Sequence, residues 1–125
     1  GKLEVLLSNL KSDGSENYKI ALPTANGLVF VKLKSILYLE AESNYTNFHF
    51  ADGSKIMVSR TLKEYEEMLG NNGFFRIHKS YLINLNEIRE YLIGEGGYVV
   101  MSNKAALDVS KRKKEPFLDR ISKFR

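Results

Sequence analysis

ILYLEAESNYTNFHFADGSKIMVSR, residues 36–60, decides the fold class, because apolar and polar side chains alternate through it with a period of two. Thr46, Phe48 and Phe50 alternate with Tyr45, Asn47 and His49, as in a strand with one face turned inward. The polar interval from Glu42 to Thr46 separates two such runs. Asp52-Gly53 then predicts a tight primed hairpin turn ahead of KIMV, since these turns need a positive φ that glycine adopts at little cost.

The same period extends outward on both sides. It holds at YKIALP (18–23) and LVFVKL (28–33), punctuated by Asn26-Gly27, and resumes at FFRI (74–77), YLINL (81–85), IREYLI (88–93), GYVVMS (97–102) and AALDV (105–109). One helix interrupts the strands. Thr61 and Glu64 stand at capping-box spacing, and Leu62, Tyr65, Met68 and Leu69 form a stripe that ends at Gly70. Near the start, Leu3, Leu6, Leu7 and Leu10 recur at helical spacing before a polar stretch from Lys11 to Asn17. At the far end a basic turn leads through Pro116 into a short helix carrying Phe117, Leu118, Ile121 and Phe124. The expectation is a mainly β domain of about ten short strands, with one central helix and short terminal helices. Residues 1–17 read as a helix and linker remnant, and 18–125 as the domain itself.

Length and composition fit that division. The 125 residues suffice for one domain with its own core, and 43% are hydrophobic. The absence of cysteine excludes disulfides, thiolate nucleophiles and thiolate metal sites, and suits a reducing compartment. The longest apolar runs, Leu28 to Val31 and Tyr98 to Met101, are far shorter than a membrane span. The N-terminus lacks the apolar core of a secretory signal, so a cytoplasmic location is expected. A chain beginning with Gly1 reads as the output part of a longer regulator, preceded by a receiver or sensory domain. The formal charge of +4 is unevenly spread: residues 111–125 hold seven basic and two acidic groups, and the first 110 residues hold 12 basic and 13 acidic.

Catalytic and metal chemistry find little support. The two histidines, His49 and His78, lack partners at metal-ligand spacing. His49 falls on a strand and is expected to point outward or meet a cross-strand partner. Glu40 and Glu42 share a strand face without a context that would tune them as an acid/base pair. His78 and Ser80 lack a nucleophile elbow and an orienting acid. No glycine spacing cradles a phosphate. The expectation is no enzyme, no metal and no cofactor.

Three polar or basic clusters carry more information, each where a strand gives way to a loop. They are Glu42-Ser43-Asn44-Tyr45-Thr46, Arg76-Ile77-His78-Lys79-Ser80, and Ser110-Lys111-Arg112-Lys113-Lys114. Amides, hydroxyls and cations suit base edges and phosphates. A run of cations at a helix entrance opposes the helix dipole, which asks for a purpose beyond local stability. Tyr45 is open to a core role, Arg76 to bracing the scaffold, and Asn84 to capping backbone groups.

ILYLEAESNYTNFHFADGSKIMVSRTLKEYEEML, FFRIHKSYLINLNEI and ALDVSKRKKEPFLDRI together resemble the LytTR family, the DNA-binding output domain of many bacterial response regulators. The likeness covers residues 21–121, and FFRIHKSYLINL is its most specific part. It implies several small antiparallel sheets. It also implies loops, rather than a helix, entering the major groove at successive turns of double-stranded DNA, with promoter repeats as targets and a homodimer as a possible bound form. Carried over by position, the contact loops are Ser43, Asn44, Tyr45 and Thr46; His78, Lys79 and Ser80; and Lys111, Arg112 and Lys113. Lys79 and Arg112 take base-reading positions. Thr46 takes the first-loop reader position, where its short side chain implies a methyl contact or a phosphate hydrogen bond. The competing reading is a regulatory module whose basic C-terminal helix docks on an acidic protein partner or an anionic surface.

Overall fold

The structure is a computed structural model that describes residues 18–94 and 96–124, so the helix and linker expected over residues 1–17 lie outside the described residues. Among the described residues, ten strands form three antiparallel sheets. Strands β1 (Lys19–Thr24) and β2 (Gly27–Lys32) make a two-stranded ribbon. The central sheet has the order β5-β4-β3-β7-β6, from β3 (Ile36–Glu42), β4 (Tyr45–Phe50), β5 (Lys55–Val58), β6 (Phe74–His78) and β7 (Tyr81–Asn84). The third sheet has the order β10-β9-β8, from β8 (Ile88–Leu92), β9 (Tyr98–Met101) and β10 (Ala106–Asp108). Helix α1 (Leu62–Leu69) separates β5 from β6, and α2 (Lys114–Ile121) follows β10. No helix among the described residues is long and apolar enough to cross a membrane.

The central sheet packs against one core on each face, the second covering only β3, β7 and β6, and strand alternation sorts its side chains between the two. Ile36, Leu39, Phe48, Phe50, Phe74 and Leu82 join Ile20 and Leu22 of the ribbon and Leu62, Tyr65 and Leu69 of α1. Leu37, Tyr38, Ile77 and Ile83 face the other way, against Val99, Met101, Leu107, Val109 and Phe117. A bulge between Ile36 and Tyr38 lets Leu37 and Tyr38 enter the same core although they are neighbours in sequence. A second bulge between Arg76 and His78 takes Ile77 out of the register with β7.

Helix α1 starts as its sequence predicts. The Thr61 hydroxyl accepts from the Glu64 amide at 3.4 Å, and the four residues of the apolar stripe are buried. The β4–β5 connection differs from the expected tight primed turn. The Gly53 amide donates to the Phe50 carbonyl and the Phe50 amide to the Ser54 carbonyl, which leaves a three-residue loop with Gly53 at φ 90°. Asp52 shapes it, accepting from both the amide and the hydroxyl of Ser54. Glycine still supplies the positive φ, one step later in a longer turn.

Tyr65 is fully buried, and among the described residues its hydroxyl is the buried side-chain polar group that lacks a hydrogen-bond partner. Burial pushes its pKa from 10.0 up to about 12. Tyr65→Phe is expected to be neutral or stabilising by up to about 1 kcal/mol near neutral pH, because it removes a desolvated donor. Between pH 10 and about pH 12 the unfolded chain releases this proton before the folded one does, so the wild type loses stability as pH rises. The variant lacks that share of the loss. Urea titrations in neutral and alkaline buffer check both points, and a clearly destabilised variant would show that the hydroxyl has a stabilising partner.

Candidate nucleic-acid interface

Register brings the three polar clusters to one end of the central sheet. Strand β3 runs into the Ser43-Asn44 turn, where Glu42 pairs with Tyr45. Strand β7 leaves the Lys79-Ser80 turn and pairs antiparallel with β3 through Glu40 opposite Tyr81 and Leu39 opposite Leu82. Both hairpin tips therefore emerge at the same end, about 10 Å apart by two interstrand spacings. The Ala41 amide ties them, donating to the Ser80 carbonyl at 2.9 Å. The third loop is fastened to the far side of the second. At the bulge the Ile77 carbonyl accepts from the Ser110 amide at 2.8 Å, which seats the 3-10 turn Lys111–Lys113 beside β6.

In the first loop, Ser43 holds a left-handed φ of 58°, and Ser43, Asn44 and Tyr45 are exposed. Tyr45 is 46% exposed, so it faces outward and has no place in the core. Thr46 corrects an expectation. It is fully buried on the face shared with Phe48 and Phe50, and its hydroxyl donates to the Arg60 carbonyl at 2.7 Å. Alternation turns it inward, so it fastens the hairpin to the entrance of α1 and does not present its side chain to a ligand. The residues beneath the tip are engaged with one another. Asn47 donates to Glu42 at 2.6 Å, while His49 meets Glu40 at 3.0 Å and stacks on Tyr38 with centroids 4.3 Å apart. The two glutamates thus hold cross-strand partners, as expected of His49. Burial, and then Glu40, push the Tyr38 hydroxyl pKa up.

In the second loop, His78 is half-buried, Lys79 is exposed and Ser80 is half-buried. The Ser80 amide donates to His78 Nδ1 at 3.0 Å, so that nitrogen carries no proton and Nε2 is the donor of the neutral ring. The ring leans on Tyr81, with centroids 5.5 Å apart. Arg76 braces this turn from the α1 side, and its partner there is Glu66 at 2.9 Å. That partnership is invisible in the sequence, because it joins a helix and a strand through tertiary packing.

In the third loop, Lys111 and Arg112 are exposed and Lys113 is half-buried. No side chain caps either the turn or α2. Arg112 and Lys113 meet His78, Lys79 and Ser110 around a cleft of about 570 Å³, with Arg76 and Glu66 also in its wall. Loops two and three therefore make one basic concavity, flanked by the exposed first hairpin. Asn84 stands apart from this site. It is buried, donates to the Ile36 carbonyl at 2.9 Å and accepts from the Asn86 amide at 3.0 Å, a backbone-bridging role.

The pattern of the LytTr DNA-binding domain matches residues 26–122. The chain belongs to the LytTr DNA-binding domain family. The LytTr DNA-binding domain of a Bacillus cereus protein, described as a methyl-accepting/DNA response regulator, superposes with a TM-score of 0.69 at 25% identity, covering 79% of this chain and 92% of that one. The CO-responsive transcriptional regulator RcoM of Rhodospirillum rubrum is 30% identical over 91 residues, which is 73% of this chain and 38% of that protein. Sensory transduction protein LytT of Bacillus subtilis is 34% identical over 73 residues, covering 58% of this chain and 30% of that protein. The chain spans about a third of the length of these curated relatives. The LytTr domain is a DNA-binding class, not a class of enzyme, and its fold is the one described above.

Proposed function

We propose that this LytTr domain binds double-stranded DNA sequence-specifically through Ser43, Asn44 and Tyr45, His78, Lys79 and Ser80, and Lys111, Arg112 and Lys113, as the output part of a transcriptional regulator in the cytoplasm. The observation that carries the reading is the pair of backbone bonds, Ala41 to Ser80 and Ser110 to Ile77, that strings three exposed loops along one end of a rigid sheet. Loops held this way have fixed relative positions, which sequence reading requires, and they combine amides and hydroxyls with cations. The major groove is about 12 Å wide and offers a distinct donor and acceptor pattern for each base pair. One hairpin tip fits such a groove, and the neighbouring loops then reach adjacent base pairs and the flanking backbone. Repeated sites on a promoter are to be filled by successive copies of the chain, and a receiver or sensory domain is the expected source of control. The relatives named as transcriptional regulator and sensory transduction protein support that placement.

The roles of the cations divide by position. Lys113, half-buried at the wall of the cleft, is assigned to phosphate, and Lys113→Ala is expected to weaken all duplexes alike and lower the salt slope by about one. Anisotropy titrations of a selected and a scrambled duplex at several salt concentrations check this. A loss confined to the selected duplex would make Lys113 a base reader.

A further inference from the structure

Arg76 uses its guanidinium on three sides, and two of them concern the backbone that carries Lys79. Its Nε donates to the His78 carbonyl at 3.2 Å, one terminal nitrogen donates to the Lys79 carbonyl, and the other donates to Glu66 Oε1 at 2.9 Å. The peptide between His78 and Lys79 is therefore held at its oxygen. The peptide between Lys79 and Ser80 is held at both ends, its oxygen by Arg76 and its amide by His78 Nδ1. Two fixed peptide planes on either side of one Cα fix its φ and ψ, and with them the direction of the Cα–Cβ bond. The guanidinium is suited to this because its planar fork donates in several directions at once. Glu66 holds that fork from α1, and the Arg76 side chain is only 19% exposed.

We propose that Arg76, oriented by Glu66, is a positioning residue that sets the direction in which Lys79 projects toward DNA and makes no phosphate contact of its own. The proposal rests on the DNA-binding reading. It also accounts for a carboxylate in the wall of a basic cleft, since Glu66 serves the brace and not the ligand.

The test uses Arg76→Met, Arg76→Lys and Glu66→Gln in the full chain, alone and with Lys79→Ala, titrated against a duplex selected from a random pool and a scrambled control at several salt concentrations. Arg76→Met and Arg76→Lys are each expected to lower affinity for the selected duplex about tenfold, a difference well within reach of a lost local ordering. The scrambled duplex and the salt slope stay unchanged. Glu66→Gln, which keeps an acceptor, lowers affinity about threefold by loosening the fork. In the Lys79→Ala background, Arg76→Met has no further effect, a coupling that general destabilisation would not produce. Exchange of the Ser80 amide in the free protein rises about tenfold with Arg76→Met, as local opening becomes easier. A salt slope reduced by about one and restored by Arg76→Lys would make Arg76 a phosphate ligand instead. Unchanged Arg76 variants beside a discriminating wild type overturn the positioning role alone. A wild type that treats both duplexes alike overturns the DNA reading and this proposal with it.

Discussion

Arg112→Ala is expected to weaken binding to the selected duplex by about 1 to 3 kcal/mol while leaving affinity for a scrambled duplex nearly unchanged. The size follows from the chemistry of the guanidinium. Its fork matches the two acceptors on the major-groove edge of guanine, and a lost bidentate contact leaves those acceptors without a donor. The place follows from the fold. Arg112 is exposed in the 3-10 turn that the Ser110 amide fastens to the bulged β6 strand, and it faces the same cleft as His78 and Lys79. An arginine so mounted reaches outward from a fixed base, so contact orders its side chain without also having to order the loop. The variant is expected to accept any base at one position of the site while keeping its preference elsewhere. Equal losses on both duplexes would move Arg112 to the backbone contacts.

Phe117→Ala is expected to cost about 3 to 5 kcal/mol of folding stability, the range for removing a fully buried aromatic side chain. Phe117 has no exposed surface and lies with its ring centroid 6.1 Å from that of Phe75 and 5.5 Å from that of Tyr91. It is thus the point where α2 fixes itself to both the central and the third sheet. Since the basic turn leads directly into α2, the loss also loosens the third loop. Thermal unfolding followed by circular dichroism measures the first effect. Titration of the selected duplex well below the unfolding midpoint measures the second. A variant as stable as the wild type would contradict the two-core packing. Leu118, one residue on and 38% exposed, is the control, and Leu118→Ala is expected to cost much less.

The strands were legible because a sheet side chain reports its face through a period of two, and residues 36–60 carry that period across two hairpins. The same alternation held the answer for Thr46. It places Thr46 with Phe48 and Phe50, and the inward-facing hydroxyl follows from that pattern more directly than any outward role. Its place in a polar cluster, and then its family position, put Thr46 among the readers. The Arg76 to Glu66 contact is of another kind. It spans ten residues and two elements, and a contact of that sort exists only once α1 lies across β6. The bulge at Ile77 was equally hidden, since a single extra residue leaves no mark in composition, yet it frees the carbonyl that anchors the third loop. The C-terminal charge was visible from the outset, and its meaning came from the fold. The turn of 111–113 closes a cleft with His78 and Lys79, so part of the excess charge joins a loop from the nearly neutral body.

If loops at one end of the sheet read duplex sequence, the chain must prefer some duplexes over others. Selection of bound duplexes from a random library, at moderate salt and with the chain as it stands, tests this most directly. The recovered pool is expected to converge on a short motif. A pool as varied after selection as before it, bound with salt-dependent but uniform affinity, would contradict it.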